Sequence, residues 1–166
     1  MKILYVIRHA KSSWKEKGID DFDRPLNDRG ERDAPFMGEL LNSLGCKFDL
    51  VLSSPAKRAQ ATAKIICSKI GYNEENIVFK RELYLANVKE IASTISEINK
   101  EVESLAIFGH NPGLTELANY LSGENSIDNI PTCGIVKFEL FIENWKSISK
   151  GIGKIRMFEY PKKYFK

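Results

Sequence analysis

Ile3-Leu4-Tyr5-Val6-Ile7 is an unbroken apolar run that ends abruptly on Arg8 and His9. A strand wet on one face alternates apolar and polar residues; one that does not alternate is covered on both faces. Asp49-Leu50-Val51-Leu52 and Leu105-Ala106-Ile107-Phe108 are runs of the same kind, and Ile77-Val78-Phe79 is a weaker fourth. Between them the apolar spacing becomes helical. Ala34, Met37, Leu41 and Leu44 form one stripe and Val88, Ile91, Ile95 and Ile98 another. Leu114, Leu117, Ala118 and Leu121 form a third stripe, which Gly123 stops, and Ala56 to Ile70 is alanine-rich and helix-prone. Pro35 disturbs the first helix: either Asp33 caps a helix starting there, or a helix from Asp28 is kinked. Strand–helix alternation over the first 120 residues predicts an α/β fold. The expected form is a three-layer sandwich, a mostly parallel sheet with helices on both faces.

The last third changes character. Val136, Phe138, Leu140 and Ile142 alternate with Lys137, Glu139 and Phe141, and Ile155 to Tyr160 alternate more loosely. This pattern predicts strands with one wetter face near a sheet edge, with antiparallel pairing open.

The chain has 166 residues, 43% of them apolar, enough for one domain spanning 1–166 with its own core. Lys and Arg (25) barely outnumber Asp and Glu (22), and no basic stripe interleaved with aromatics argues for nucleic acid. No stretch approaches the roughly 18 consecutive apolar residues of a membrane span. The N-terminal run is shorter than the roughly 7–15 residues of a secretory h-region. A cytoplasmic location is expected. Cys46, Cys67 and Cys133 are odd in number and scattered, as buried small hydrophobes are in a reducing compartment. With only His9 and His110 as imidazole ligands, no metal site and no cofactor are expected.

In a doubly wound sheet the ligand site lies outside the carboxyl ends of the strands. The segments there are Arg8-His9-Ala10-Lys11-Ser12-Ser13-Trp14, Ser53-Ser54-Pro55-Ala56-Lys57-Arg58 and Gly109-His110-Asn111-Pro112-Gly113. Both histidines and two arginines therefore converge on one edge. Two guanidiniums match phosphate oxygens bidentately and keep their charge. A histidine between them is held neutral, and a neutral imidazole is a nucleophile that attacks phosphorus to give phosphohistidine. The second histidine can donate to oxygens that gain charge. Two arginines and a histidine supply the neutralisation that magnesium gives elsewhere, and no P-loop is visible.

Arg8-His9-Ala10 resembles the Arg-His-Gly signature of the histidine phosphatase superfamily, which also contains the cofactor-dependent phosphoglycerate mutases. With Asp21-Phe22-Asp23-Arg24-Pro25-Leu26-Asn27-Asp28-Arg29-Gly30 and the segments around Arg58 and His110, the pattern resembles the short branch related to the SixA phosphohistidine phosphatases. The resemblance implies that His9 is the phosphorylated nucleophile and that Arg8, Arg58 and His110 form the phosphate pocket. Asn111 and Lys15 are further candidate substrate contacts; Lys15 stands where many relatives with a mutase-like motif carry Asn. Ala10 replaces the signature glycine, a change that a negative φ tolerates. Glu82 falls about where ester-cleaving members place a general acid, or is a surface glutamate paired with Arg81 or Lys80. SixA-related members can lack that acid, because an imidazole leaves phosphorus more easily than an alkoxide.

Asp21 and Asp23 shape their loop by turn hydrogen bonds, or orient Arg8 or Arg58. The tail Lys162-Lys163-Tyr164-Phe165-Lys166 is a solvated terminus or a docking patch for an acidic partner. The expected activity is a phosphatase acting through phospho-His9 on a phosphorylated protein histidine or a small phosphoester. A mutase would need a closing lid, and a non-catalytic phosphohistidine reader would have lost the nucleophile.

Overall fold

The structure, a computed structural model, describes residues 1–165. The opening run becomes β1 (Lys2–Arg8), followed by α1 (Asp28–Ser43), β2 (Leu50–Ser53), α2 (Lys57–Ile70) and β3 (Val78–Phe79). Then come α3 (Val88–Ser96), β4 (Ser104–Gly109), α4 (Gly113–Ser122), β5 (Ile135–Leu140) and β6 (Gly153–Glu159). The six strands form one sheet in the order β3-β2-β4-β1-β5-β6. β3, β2, β4 and β1 are mutually parallel, while β5 pairs antiparallel with both β1 and β6. The alternating last third is thus antiparallel and lies near one edge of the sheet, with β6 at that edge and β5 one strand in from it. β5 keeps its alternation because Val136, Phe138 and Leu140 are buried while Lys137 and Glu139 are only partly covered.

Side-chain alternation along β1 divides the core in two. Leu4 and Val6 face α3 and α4, where Ile91, Ile95, Leu117 and Leu121 are buried. Tyr5 and Ile7 face α1 and α2, against Met37, Leu41, Ala63 and Ile66. Each fully buried aliphatic side chain contributes roughly 1.5–3 kcal/mol. The three predicted stripes fall on these faces, except that Leu44 lies at the end of α1 and is exposed.

α1 runs through Pro35 from Asp28, capped by Asn27, whose side chain accepts from the Gly30 N–H. Asp33 is therefore no cap; it is buried within the helix and paired with Arg29 and Arg32. A Cβ on Gly30 would strike the Lys11 carbonyl oxygen, so glycine lets the segment after β1 pass close under α1. That segment returns by pairing Ser12 with Leu26.

Cys46, Cys67 and Cys133 are free and buried. Phe165 and Tyr164 pack on Phe36 of α1, so most of the tail is folded down; Lys166 lies outside the described residues. Among the described residues no helix is long and apolar enough to cross a membrane.

Candidate active site

Parallel register brings three strand ends to one level. Arg8 lies opposite Gly109, and Ser53 opposite Phe108. The ladder continues one residue further: the His9 N–H donates to the Gly109 carbonyl (3.1 Å) and the Ser54 N–H to the Phe108 carbonyl (2.9 Å). His9 and His110 consequently sit side by side, ring centroids 5.2 Å apart. From the far side the Cys133 N–H donates to the His9 carbonyl at 2.9 Å, with Cys133 in a left-handed backbone (φ 61°).

The proton on His9 can be assigned from its partners. Nδ1 lies 2.7 Å from the Ala10 carbonyl, which only accepts, so Nδ1 carries the hydrogen and Nε2 the lone pair. Arg58 Nε donates toward that lone pair at 3.4 Å. Burial, and then the charges of Arg58, Arg8 and Arg24, hold His9 down to about 3 against the opposing pull of the Ala10 carbonyl. His110 is lowered to about 3 by burial, then by His9 and Arg58. Its Nδ1 faces Arg58 Nη2 at 3.3 Å, and a guanidinium only donates, so the hydrogen of His110 lies on Nε2, donated to Ser54 Oγ at 2.7 Å.

Arg58 is buried at the first turn of α2 and divides its donors between two sides. Nη1 donates to the Asp21 carbonyl (2.6 Å) and Nη2 to its carboxylate (2.8 Å), while Nε and Nη2 face the two imidazoles. Asp21 also accepts from Tyr84 Oη (2.6 Å) and from Arg24 Nε and Nη2 (3.2 and 3.0 Å). Burial disfavours its charge, but hydrogen bonds from Tyr84, Arg58 and Arg24 outweigh that and hold the carboxyl well below the usual range. Arg8 donates through Nη1 to the Ile130 carbonyl (3.0 Å), and its buried Nε finds no acceptor among the described residues.

These groups line a cavity of about 390 Å³. Arg8, His9, Arg58 and His110 all contribute to it, with Lys11, Ser12, Asp21 and Arg24 on its walls and Trp14 and Leu85 at its exposed mouth. Asp21 is the one carboxylate among its described lining residues. The arrangement offers a neutral nucleophilic nitrogen inside a ring of fixed positive charge, the requirement for phosphoryl transfer.

The other candidates lie elsewhere or are otherwise occupied. Glu82 is exposed and lines a separate depression with Lys89, Glu90 and Thr94. Lys15 is exposed and does not line the cavity. Asn111 does line it, but its amide is engaged: Oδ1 accepts from the Thr115 N–H and hydroxyl, and Nδ2 donates to the Ile130 carbonyl. Asp23 is exposed and faces a neighbouring depression beside Lys57 and Lys64. Leu85 and Cys133 are the non-glycine residues with positive φ among those described, so Ala10 needs no glycine. Among the described residues no three His, Cys, Asp or Glu side chains gather as metal ligands would.

Sequence reasoning missed Arg24 and Tyr84 as site residues. Only the Asp21–Arg24 spacing hinted at the first, and nothing local marked the second.

Comparison with known proteins agrees with this geometry. A model of the histidine phosphatase superfamily (branch 1) matches residues 4–126. An uncharacterised chloroplastic protein of Arabidopsis thaliana is 32% identical over 151 residues, 86% of this chain and 68% of that protein. The crystal structure of a proposed phosphohistidine phosphatase SixA from Agrobacterium tumefaciens superposes with TM-score 0.84 at 27% identity, covering 96% of this chain and 98% of the other. A protein histidine phosphatase SixA solved with tungstate superposes at 0.82, with 21% identity and coverage of 97% and 98%. With the matched segment spanning well over half its length, the chain belongs to the histidine phosphatase superfamily, branch 1, and is a phosphatase.

Proposed function

We propose that the protein is a phosphohistidine phosphatase that works through phospho-His9. The observation that carries this reading is that no carboxylic acid among the cavity's described lining residues is free to protonate a poor leaving group. Its one carboxylate among the described residues, Asp21, is ionised and held by two arginines and a tyrosine. An alkoxide leaves phosphorus badly without a general acid, whereas an imidazole protonated on its other nitrogen departs neutral.

In the first step His9 Nε2 bonds to phosphorus as the substrate's N–P bond breaks. Arg8 and Arg58 hold the equatorial oxygens. His9 keeps its Nδ1 hydrogen on the Ala10 carbonyl, so the phosphorylated ring carries the positive charge. In the second step water attacks phosphorus, the N–P bond to His9 breaks, and the water's proton leaves with inorganic phosphate. His9 returns to its neutral tautomer.

The SixA neighbours support this substrate class, and a small phosphoester is the alternative. A turnover panel of phosphohistidine, phosphoserine and phosphotyrosine peptides and an aryl phosphate tests it. Selective turnover of phosphohistidine is expected, with an acid-labile, base-stable phosphoenzyme trapped in wild type and absent in His9→Ala. Faster turnover of phosphoserine would overturn the substrate class, and label persisting in His9→Ala would overturn the nucleophile.

A further inference from the structure

Two large apolar side chains stand in water at the mouth of the catalytic cavity. Trp14 is 73% exposed and Leu85 56%. They come from separate loops, Trp14 from the segment after β1 and Leu85 from the one before α3, yet both line the opening that leads to Arg8 and Arg58. Each is held in place. The Trp14 indole lies against the Arg24 guanidinium, 3.5 Å from Cζ to ring centroid, and Arg24 is fixed by Ser12 and Asp21. Leu85 has φ 50°, a left-handed backbone that Gly or Asn adopts with less strain than leucine. An exposed leucine in that conformation contributes nothing to the core, and strain of this kind gathers at ligand clamps.

An apolar lip around a cationic floor is complementary to one arrangement of ligand: an anionic group with apolar neighbours. We infer that Trp14 and Leu85 grip apolar side chains flanking the phosphorylated residue of a polypeptide substrate. They are specificity determinants for a phosphoprotein and do not touch the phosphoryl group. This rests on the phosphohistidine reading only for the identity of the phosphorylated residue; the lip reads the flanks.

The test compares two peptides, phosphohistidine flanked on both sides by Leu or by Ser, with phosphoramidate as a donor that has no flanks. The enzymes are wild type, Leu85→Asn, which keeps the left-handed backbone accessible, and Trp14→Ala. Wild type is expected to favour the Leu-flanked peptide by about tenfold or more in kcat/KM, expressed in KM, the scale of covering one aliphatic side chain. In each variant that ratio falls to within about twofold of unity, and the Leu-flanked peptide loses its advantage relative to phosphoramidate. Equal turnover of both peptides by wild type, or an undiminished preference in the variants, overturns the inference. So does a loss on phosphoramidate as large as that on the peptide. If wild type cleaves no phosphohistidine, the same Leu and Ser pair built on phosphoserine decides. A tenfold preference there upholds the lip and rejects phosphohistidine; no preference or no turnover rejects the lip.

Discussion

Arg58 presents one edge to Asp21 and the adjacent edge to His9 and His110, so the carboxylate orients the fork that the proposed mechanism offers to phosphate. Arg58→Ala should lower kcat/KM by about 10²-fold or more, the scale of removing one preorganised donor. Arg58→Lys should recover only part, since a point charge cannot serve both edges. Asp21→Asn keeps an acceptor oxygen but loses the charge that pairs with Arg58 and Arg24. It should cost about tenfold in kcat/KM, as a charged hydrogen bond becomes a neutral one. Near-normal kinetics in Arg58→Ala would remove residue 58 from the mechanism. Glu82→Gln should change turnover of phosphohistidine and phosphoserine peptides by less than about twofold, because its carboxylate lines another depression. A selective loss of about 10²-fold or more on phosphoserine would instead make Glu82 the acid.

At the scale of elements, Asn111 ties the first turn of α4 to the Asn129–Ile130 segment through four hydrogen bonds. Asn111→Ala should remove about 1–2 kcal/mol of stability, as loss of a helix-end side chain does, with KM little changed. A urea midpoint that does not move, beside a large rise in KM, would make Asn111 a substrate contact after all. The helices and main strands were legible because each leaves a periodic trace: Ile91 and Ile95 on α3, Leu117 and Leu121 on α4, the unbroken run in β1. Convergence of Arg8, His9, Arg58 and His110 was legible because it follows from where parallel strands end. Of what surrounds them, Asp21 as the residue that orients Arg58 was one of two readings of its loop, while Arg24 and Tyr84 as its further partners were not legible. Tyr84 meets Asp21 across 63 positions, a contact with no local periodicity. Glu82 and Tyr84 are two residues apart, and only the path of the short turn Arg81–Leu83 decides which of them points at the site.

For the whole molecule, the buried histidines set the response to acid. His9 and His110 are lowered to about 3 in the fold, against an ordinary value near 6.5 when unfolded. Between those values the unfolded chain binds more protons, so stability rises with pH across the window and is lost as pH falls below about 6.5. The loss should approach about 2.7 kcal/mol per pH unit if both titrate independently. Urea midpoints at pH 7 and pH 5 check this: wild type should fall steeply and His9→Gln/His110→Gln much less. Equal slopes would mean that other groups govern acid unfolding.

β1 leads directly into His9, the proposed nucleophile, yet its two neighbours in the sheet are β4 and β5, strands about 100 and 130 positions further along the chain. The His9 N–H is bonded to Gly109 and its carbonyl to Cys133. Such distant pairings close large loops, and loop-closure entropy makes them slow to form. During synthesis, residues 8 and 9 emerge before the strands they pair with and wait for β4 and β5. Regained turnover in a refolding experiment should therefore follow helix formation, as a late reporter of the completed sheet.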